Sequence, residues 1–208
     1  MILSQKLQEK LDNDNSLGKV LSYYFSKQYF RTLVRYAINW KYKNVRKDLY
    51  YWIKDLDIPD DVKKHFDKYN KMSDDDKVRI VLKWVHDNIT YTKDLKVWKV
   101  TEYWQTPEET MMLKTGDCED GSILAYCILN YLGVPDNKIW ITAGNVVGGG
   151  HCYVVYMADS IEEFPIDWCY WYSISYKIKI PYALRNNYYG GEREWFRVNK
   201  SGSYKQLL

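Results

Sequence analysis

The sequence is poor in the residues that would assign it quickly to a class. Its four cysteines, Cys118, Cys127, Cys152 and Cys169, form no CxxC pair, which argues against a zinc ribbon. A chain of 208 residues needs no disulfide framework to hold a core, so the thiols are read as free, in a reducing compartment. No stretch approaches the roughly 18 apolar residues of a membrane-spanning helix, and no membrane span is expected. The opening Met1-Ile2-Leu3-Ser4-Gln5-Lys6 lacks a basic segment followed by an apolar one, so no signal peptide is expected. The expected location is the cytoplasm, or the virion if the gene is viral. Charge of one sign is also scarce: 30 Lys and Arg face 27 Asp and Glu, leaving a dispersed net +3. That balance offers nucleic acid no basic stripe.

What is present reads as an ordinary globular protein, with 46% hydrophobic residues and mixed charge. The 21 tyrosines and 9 tryptophans, alongside many Lys, Asn and Ile, fit an AT-rich genome, viral or low-GC bacterial. Residues 1–72 read as a helical region. Leu17, Val20, Leu21 and Tyr24 follow i, i+3, i+4, i+7 spacing, as do Val45, Leu49, Trp52, Ile53 and Leu56 until Ile58-Pro59-Asp60 interrupts them. A short helix over 61–69 follows. No catalytic chemistry is assigned to this region, and its helices are a candidate surface for an assembly partner.

A second region, 73–208, carries the chemistry. Ser73 caps a helix whose first turn is acidic and whose Val78, Val81, Leu82, Val85 and Ile89 share a face. His86 lies beside that face and is read as a partly exposed packing residue. The next marked helix spans 117–132 and stops at Gly133 and Pro135. Strand patterns then occupy 138–143, 151–157, 164–168, 172–180 and 194–199, with short turn-rich links that predict an antiparallel meander. The fold class is α+β.

Cys118 stands in Thr115-Gly116-Asp117-Cys118-Glu119-Asp120-Gly121, on the first turn of the helix. Unpaired N–H groups and the positive end of the helix dipole favour a thiolate there. Cys127 falls on the opposite side of the helix and is assigned to the core. His151 opens its strand directly after three glycines, where an imidazole can take a thiol proton and return it to a leaving group. Strand alternation turns Cys152 away from His151, and Cys169 sits at a strand end. Asp167 alternates with the apolar Phe164, Ile166 and Trp168, placed to orient the imidazole.

Together Thr101 to Thr110, with Tyr103-Trp104-Gln105-Thr106-Pro107, then Gly116 to Asp120, Gly150-His151 and Ile166-Asp167-Trp168, resemble the transglutaminase-like cysteine peptidase superfamily. The upstream Trp84 to Tyr91 resembles the helix before that motif, so the likeness covers roughly residues 73 to 172. It implies a papain- or transglutaminase-like core, with the nucleophile helix packed on an antiparallel sheet. It further implies a Cys118, His151 and Asp167 triad and an oxyanion hole built from the Cys118 N–H and a donor from Trp104 or Gln105, although Gln105 reads equally well as a loop-anchoring amide. Similar bacterial periplasmic proteins bind calcium through acidic residues flanking the nucleophile, here Asp117 and Glu119. The competing reading, which is favoured, makes Asp117 the helix cap and Glu119 a partner of the helix dipole; on that reading no cofactor is required. Gly121-Ser122 replaces a bulkier pair common in the family, and Cys152 follows His151 in place of an apolar or aromatic residue.

The expected activity is cysteine-dependent acyl transfer, hydrolysing peptide or amide bonds of a protein or peptide substrate. Two alternatives stand beside it. One is protein crosslinking, with a lysine amine resolving the acyl-enzyme. The other is a non-catalytic assembly module that keeps the fold, such as a viral particle component.

Overall fold

A computed structural model describes Tyr50 and residues 53–146, 149–158, 163–169, 194–202 and 205–206. The helical face expected at Leu17 to Tyr24, most of that at Val45 to Leu56, and the strand expected at 172–180 lie outside the described residues.

Helix α1, Asp60–Phe66, starts directly after Pro59 with two acidic residues in its first turn. It buries Val62 and Phe66, one turn apart, and Phe66 meets the Trp84 ring edge-on at 5.1 Å. A 3-10 turn, Asp67–Tyr69, ends it. Helix α2, Asp74–Asn88, is capped as expected, Ser73 Oγ accepting the Asp76 N–H at 3.2 Å. Val78, Val81, Leu82 and Val85 form its buried stripe.

A run of short elements follows: β1 (Thr90–Tyr91), α3 (Asp94–Val97), α4 (Pro107–Leu113) and β2 (Thr115–Gly116). Helix α4 opens with a capping box, Thr106 Oγ1 accepting from Glu109 N at 3.3 Å and Glu109 Oε2 from Thr106 N at 2.8 Å. Lys114 then takes a left-handed conformation (φ 53°), which turns the chain into β2. Strand β2 runs parallel to β1, pairing Thr90 with Thr115 and Tyr91 with Gly116.

Helix α5, Cys118–Tyr131, is the centre of the domain, with every residue from Glu119 to Leu129 buried. A helix apolar on all sides has to be covered on all sides. Helices α1, α2 and α4 and the sheet cover it. The sheet comprises β3 (Ile139–Val146), β4 (Gly149–Met157), β5 (Glu163–Ile166), β6 (Glu194–Val198) and β7 (Lys205–Gln206), in the order β5-β4-β3-β6-β7 with antiparallel neighbours.

The expected meander holds for β3, β4 and β5 and then fails, because β6 returns to the free edge of β3. Ile139 and Ile141 of β3 are fully buried, and an exposed edge there would leave apolar side chains and unpaired backbone in water. Gly149 and Gly150, expected in a turn, extend the ladder by pairing with Val146 and Asn145. At Gly150 a side chain would collide with the Trp195 ring, whose Cη2 lies 2.7 Å from an ideal Cβ.

The far end of α5 is tied to the sheet through Asp136. Tyr126 Oη and Asn130 Nδ2 each donate to Asp136 Oδ1 at 2.9 Å, and Ser201 Oγ donates to Oδ2 at 2.7 Å. Asn199 Nδ2 reaches the Asp136 carbonyl at 2.7 Å. These bonds fix the tilt of α5 against the sheet, and so fix where Cys118 lies at its other end.

Candidate active site

Cys118 is half-buried at the start of α5. Its carbonyl oxygen is gripped by two donors, Ser122 Oγ at 2.7 Å and Trp168 Nε1 at 3.2 Å. Ser122 Oγ also lies 3.3 Å from the Cys152 carbonyl, which joins the helix start to β4 one residue from His151. Trp168 lies one residue from Asp167, and its own carbonyl bonds His86 Nδ1 at 3.2 Å. His86 is half-buried, as the packing reading expects, but it also holds this backbone in place.

Residue 121 is glycine for a local reason. An ideal Cβ there would stand 2.2 Å from Trp168 Cε2 and 2.3 Å from its Nε1. The indole therefore lies in the space that a larger residue at this position would occupy.

His151 and Asp167 form a buried pair. His151 Nε2 and Asp167 Oδ2 are 2.5 Å apart, and the two residues are 9% and 1% exposed. The other carboxylate oxygen of Asp167 accepts the Cys169 N–H at 2.9 Å. Tyr153 stacks on the imidazole with centroids 6.0 Å apart. Across the ladder His151 faces Gly144, which has no side chain to crowd it.

Four carboxyl groups gather behind the cysteine. Atoms of Asp117, Cys118 and Glu119 lie within 4.8 Å of one another, as do those of Asp94, Asp117 and Asp120. Asp120 is fully satisfied: Oδ1 accepts Gln105 N at 2.7 Å, while Oδ2 accepts Gln105 Nε2 at 2.6 Å and Asp117 N at 3.0 Å. Asp94 Oδ2, Asp117 Oδ1, Glu119 Oε1 and Gln105 Oε1 are buried with no hydrogen-bond partner. Burial foremost, then Asp117, raises the Asp94 carboxyl to about 8. Glu119 and Asp120 are likewise held well above the usual carboxylate range, by burial and by their acidic neighbours.

Two expectations are refined here. Of the two readings of Gln105, oxyanion donor and loop anchor, the bonds fit the second: its side-chain amide donates to Asp120 Oδ2 and to the Thr115 carbonyl at 3.2 Å. It is completely buried and buttresses the loop. Trp104, the other candidate, donates its indole N–H to Glu102 Oε1 at 2.9 Å. The second change concerns the nucleophile. A helix start favours thiolate, yet burial, then Cys152 and Asp117, push the Cys118 thiol up, and its Sγ donates to Glu119 Oε2 at 3.2 Å. Burial of the thiol outweighs the half-charge of the helix start.

The remaining cysteines fall into two kinds. Cys127 is buried in the core, its thiol raised to about 12 by burial. Cys152 is also buried, whereas Cys169 is half-buried with its sulfur within 4.8 Å of the His151 and Asp167 polar atoms. Asp94, Ser122 and Cys169 were not singled out as site residues from the sequence. Asp94 carries a signal in retrospect, as an acid between the outward-facing Lys93 and Leu95 of one helical turn.

A half-buried cysteine on a helix start, joined by Ser122 and Trp168 to the segments that carry a His–Asp pair, is an arrangement suited to thiol acyl-transfer chemistry. The chain belongs to the transglutaminase-like domain family, which matches residues 60–170. No sequence relative is found among curated proteins. Its structure is similar to LapG of Legionella pneumophila, at 19% identity and TM-score 0.53 over 68% of this chain and 73% of that one. The calcium-bound form of that protein matches at 20% identity and TM-score 0.53 over the same shares. Its EGTA-treated form matches at 20% identity and TM-score 0.50, over 64% and 68%. The fold is thus the papain- or transglutaminase-like α+β fold, with the nucleophile helix against an antiparallel sheet.

Proposed function

We propose that the protein is a cysteine hydrolase of peptide or amide bonds, with Cys118 as nucleophile, His151 as general base and acid, and Asp167 as orienting carboxylate. The 2.5 Å His151–Asp167 pair, on segments joined to the Cys118 end of α5, is the observation that carries this reading. Asp167 accepts the Nε2 proton, so transfer with the sulfur falls to Nδ1. The Cys118 proton passes to that nitrogen and the sulfur adds to the substrate carbonyl carbon. The C–N bond breaks as His151 protonates the departing amine, leaving a thioester. Water then loses a proton to His151, attacks the thioester, and releases the carboxylic acid and the thiol. The Cys118 backbone N–H is the oxyanion donor retained from the sequence expectations.

The unpartnered oxygens of Asp117, Glu119 and Asp94 fit a hard divalent cation, which takes oxygen ligands. Asp117 and Glu119 would hold calcium here; the structurally similar LapG has a calcium-bound form. When bound, calcium would supply positive charge that offsets the clustered carboxyls and favours thiolate. Calcium at about 100 times its Kd is expected to stabilise the protein by about 2.7 kcal/mol, raising Tm by roughly 5–10 °C. Asp117→Asn with Glu119→Gln should abolish that rise in a thermal melt. An equal rise in the double variant would remove these residues from the site.

Hydrolysis and crosslinking separate in one assay. With a glutamine-containing peptide and a dansylated primary amine, hydrolysis is expected to release ammonia or a cleaved peptide without labelling. Dominant amine incorporation would reassign the reaction to transamidation.

A further inference from the structure

An open hollow of about 510 Å³ lies against the nucleophile end of the domain, lined by Tyr91, Thr92, Lys93, Leu95 and Lys96. Its position is set by backbone pairing. Tyr91 pairs with Gly116, and Thr92 N donates to the Gly116 carbonyl at 2.8 Å, two residues before Cys118. The Tyr91 ring packs on Trp168 with centroids 6.0 Å apart, and Trp168 holds the Cys118 carbonyl. Burial, followed by Cys118 and Asp117, raises the Tyr91 hydroxyl, which places it in the field of the same residues.

The lining is chemically two-sided. Leu95 is 62% exposed and Tyr91 48%, unusual for large apolar side chains on neighbouring turns. Lys93 and Lys96 are exposed, and neither ammonium forms an ion pair with a described carboxylate. Asp94, the acid between them, points inward and is 3% exposed, so it does not cancel their charge at the surface. The size is that of a ligand cleft.

We propose that this hollow is the substrate subsite beside the scissile bond, and that it selects a peptide segment combining an apolar residue with acidic residues. Leu95 and Tyr91 cover the apolar side chain, while Lys93 and Lys96 face the carboxylates. The position of the scissile bond rests on Cys118 being the nucleophile; the charge preference of the hollow does not. Exposed ion pairs are individually weak, so the selectivity is modest and falls with salt.

Binding tests it without turnover. Two fluorescein-labelled, end-capped octapeptides with a Gly-Ala background, one centred on Leu-Glu-Glu and one on Leu-Lys-Lys, are titrated by anisotropy against full-length Cys118→Ala protein. The acidic peptide is expected to bind about tenfold tighter at low salt. Lys93→Glu with Lys96→Glu should reverse the order, and Lys93→Gln with Lys96→Gln should level it. Equal binding, no binding of either peptide at 1 mM, or a preference that survives charge reversal overturns the subsite. The nucleophile reading fails separately, if the wild-type protein turns over no amide substrate or if Cys118→Ala retains turnover.

Discussion

Cys118→Ala is expected to lower amide hydrolysis by at least about 10⁴-fold while leaving the fold intact. Removing a covalent nucleophile deletes the thioester route, and what survives is the catalysis of binding and oxyanion stabilisation alone. The fold should tolerate the change because the bonds that position residue 118 use its backbone. Ser122 and Trp168 both bond its carbonyl oxygen, and the sulfur touches Glu119 and the Cys152 backbone. Cys169, whose sulfur lies within 4.8 Å of the His151 and Asp167 polar atoms, is the thiol to control for, and Cys169→Ala should keep activity. Cys152 is buried, and the Cys169 thiol is raised by burial and by the adjoining Asp167. The measurement is amine release from a peptide substrate, with a thermal melt of the same preparation as control. Activity within tenfold of wild type would remove Cys118 from the mechanism, and a Tm lowered by more than a few degrees would show that the loss is structural.

Gly121→Ala is expected to destabilise the protein by about 2–3 kcal/mol, the cost of overpacking a rigid site. Helix propensity predicts the opposite sign, since alanine is favoured over glycine inside a helix by about 1 kcal/mol. Sterics decide, because the new methyl would begin 2.2 Å from the Trp168 indole. The ring has to move, and it takes with it the bond to the Cys118 carbonyl and the backbone beside Asp167. Stability by urea unfolding should fall together with kcat. Trimming the ring in a Gly121→Ala, Trp168→Leu double variant should recover part of the stability, with a coupling of about 1 kcal/mol or more. A Gly121→Ala protein as stable as wild type would mean that the indole has room to yield.

These residues also show how far a sequence can be read. Ser73 and the first turn of α5 declare themselves because capping is local, set by three or four neighbouring residues. His151 stands on β4 and Asp167 one residue past β5, where the alternation of the sequence is visible, and the structure joins them at 2.5 Å. The edge chosen by β6 was not legible, because alternation tells which face a residue occupies and not which strand it joins. Gln105 stays divided between oxyanion donor and loop anchor in the sequence, since its partner, Asp120, lies fifteen residues away across a fold the sequence does not display. The raised Cys118 thiol was missed for a similar reason. Helix-start activation is a property of one element, whereas the burial of the thiol and the approach of Cys152 come from strand β4 packed against it. In the sequence alone, the glycine at 121 is a departure from the bulkier residue common in the family. With the indole beside it, it reads as half of a complementary pair, the ring supplying the bulk that the helix gives up.

The two-residue parallel ladder between β1 and β2 has a mechanical consequence. Through it the floor of the hollow and the approach to Cys118 are one stiff piece of backbone, with Tyr91 and Gly116 as its facing rungs. On the proposed mechanism, a segment seated poorly at Tyr91 would displace the residues that lead into Cys118, so that a wrong substrate would lose rate as well as affinity.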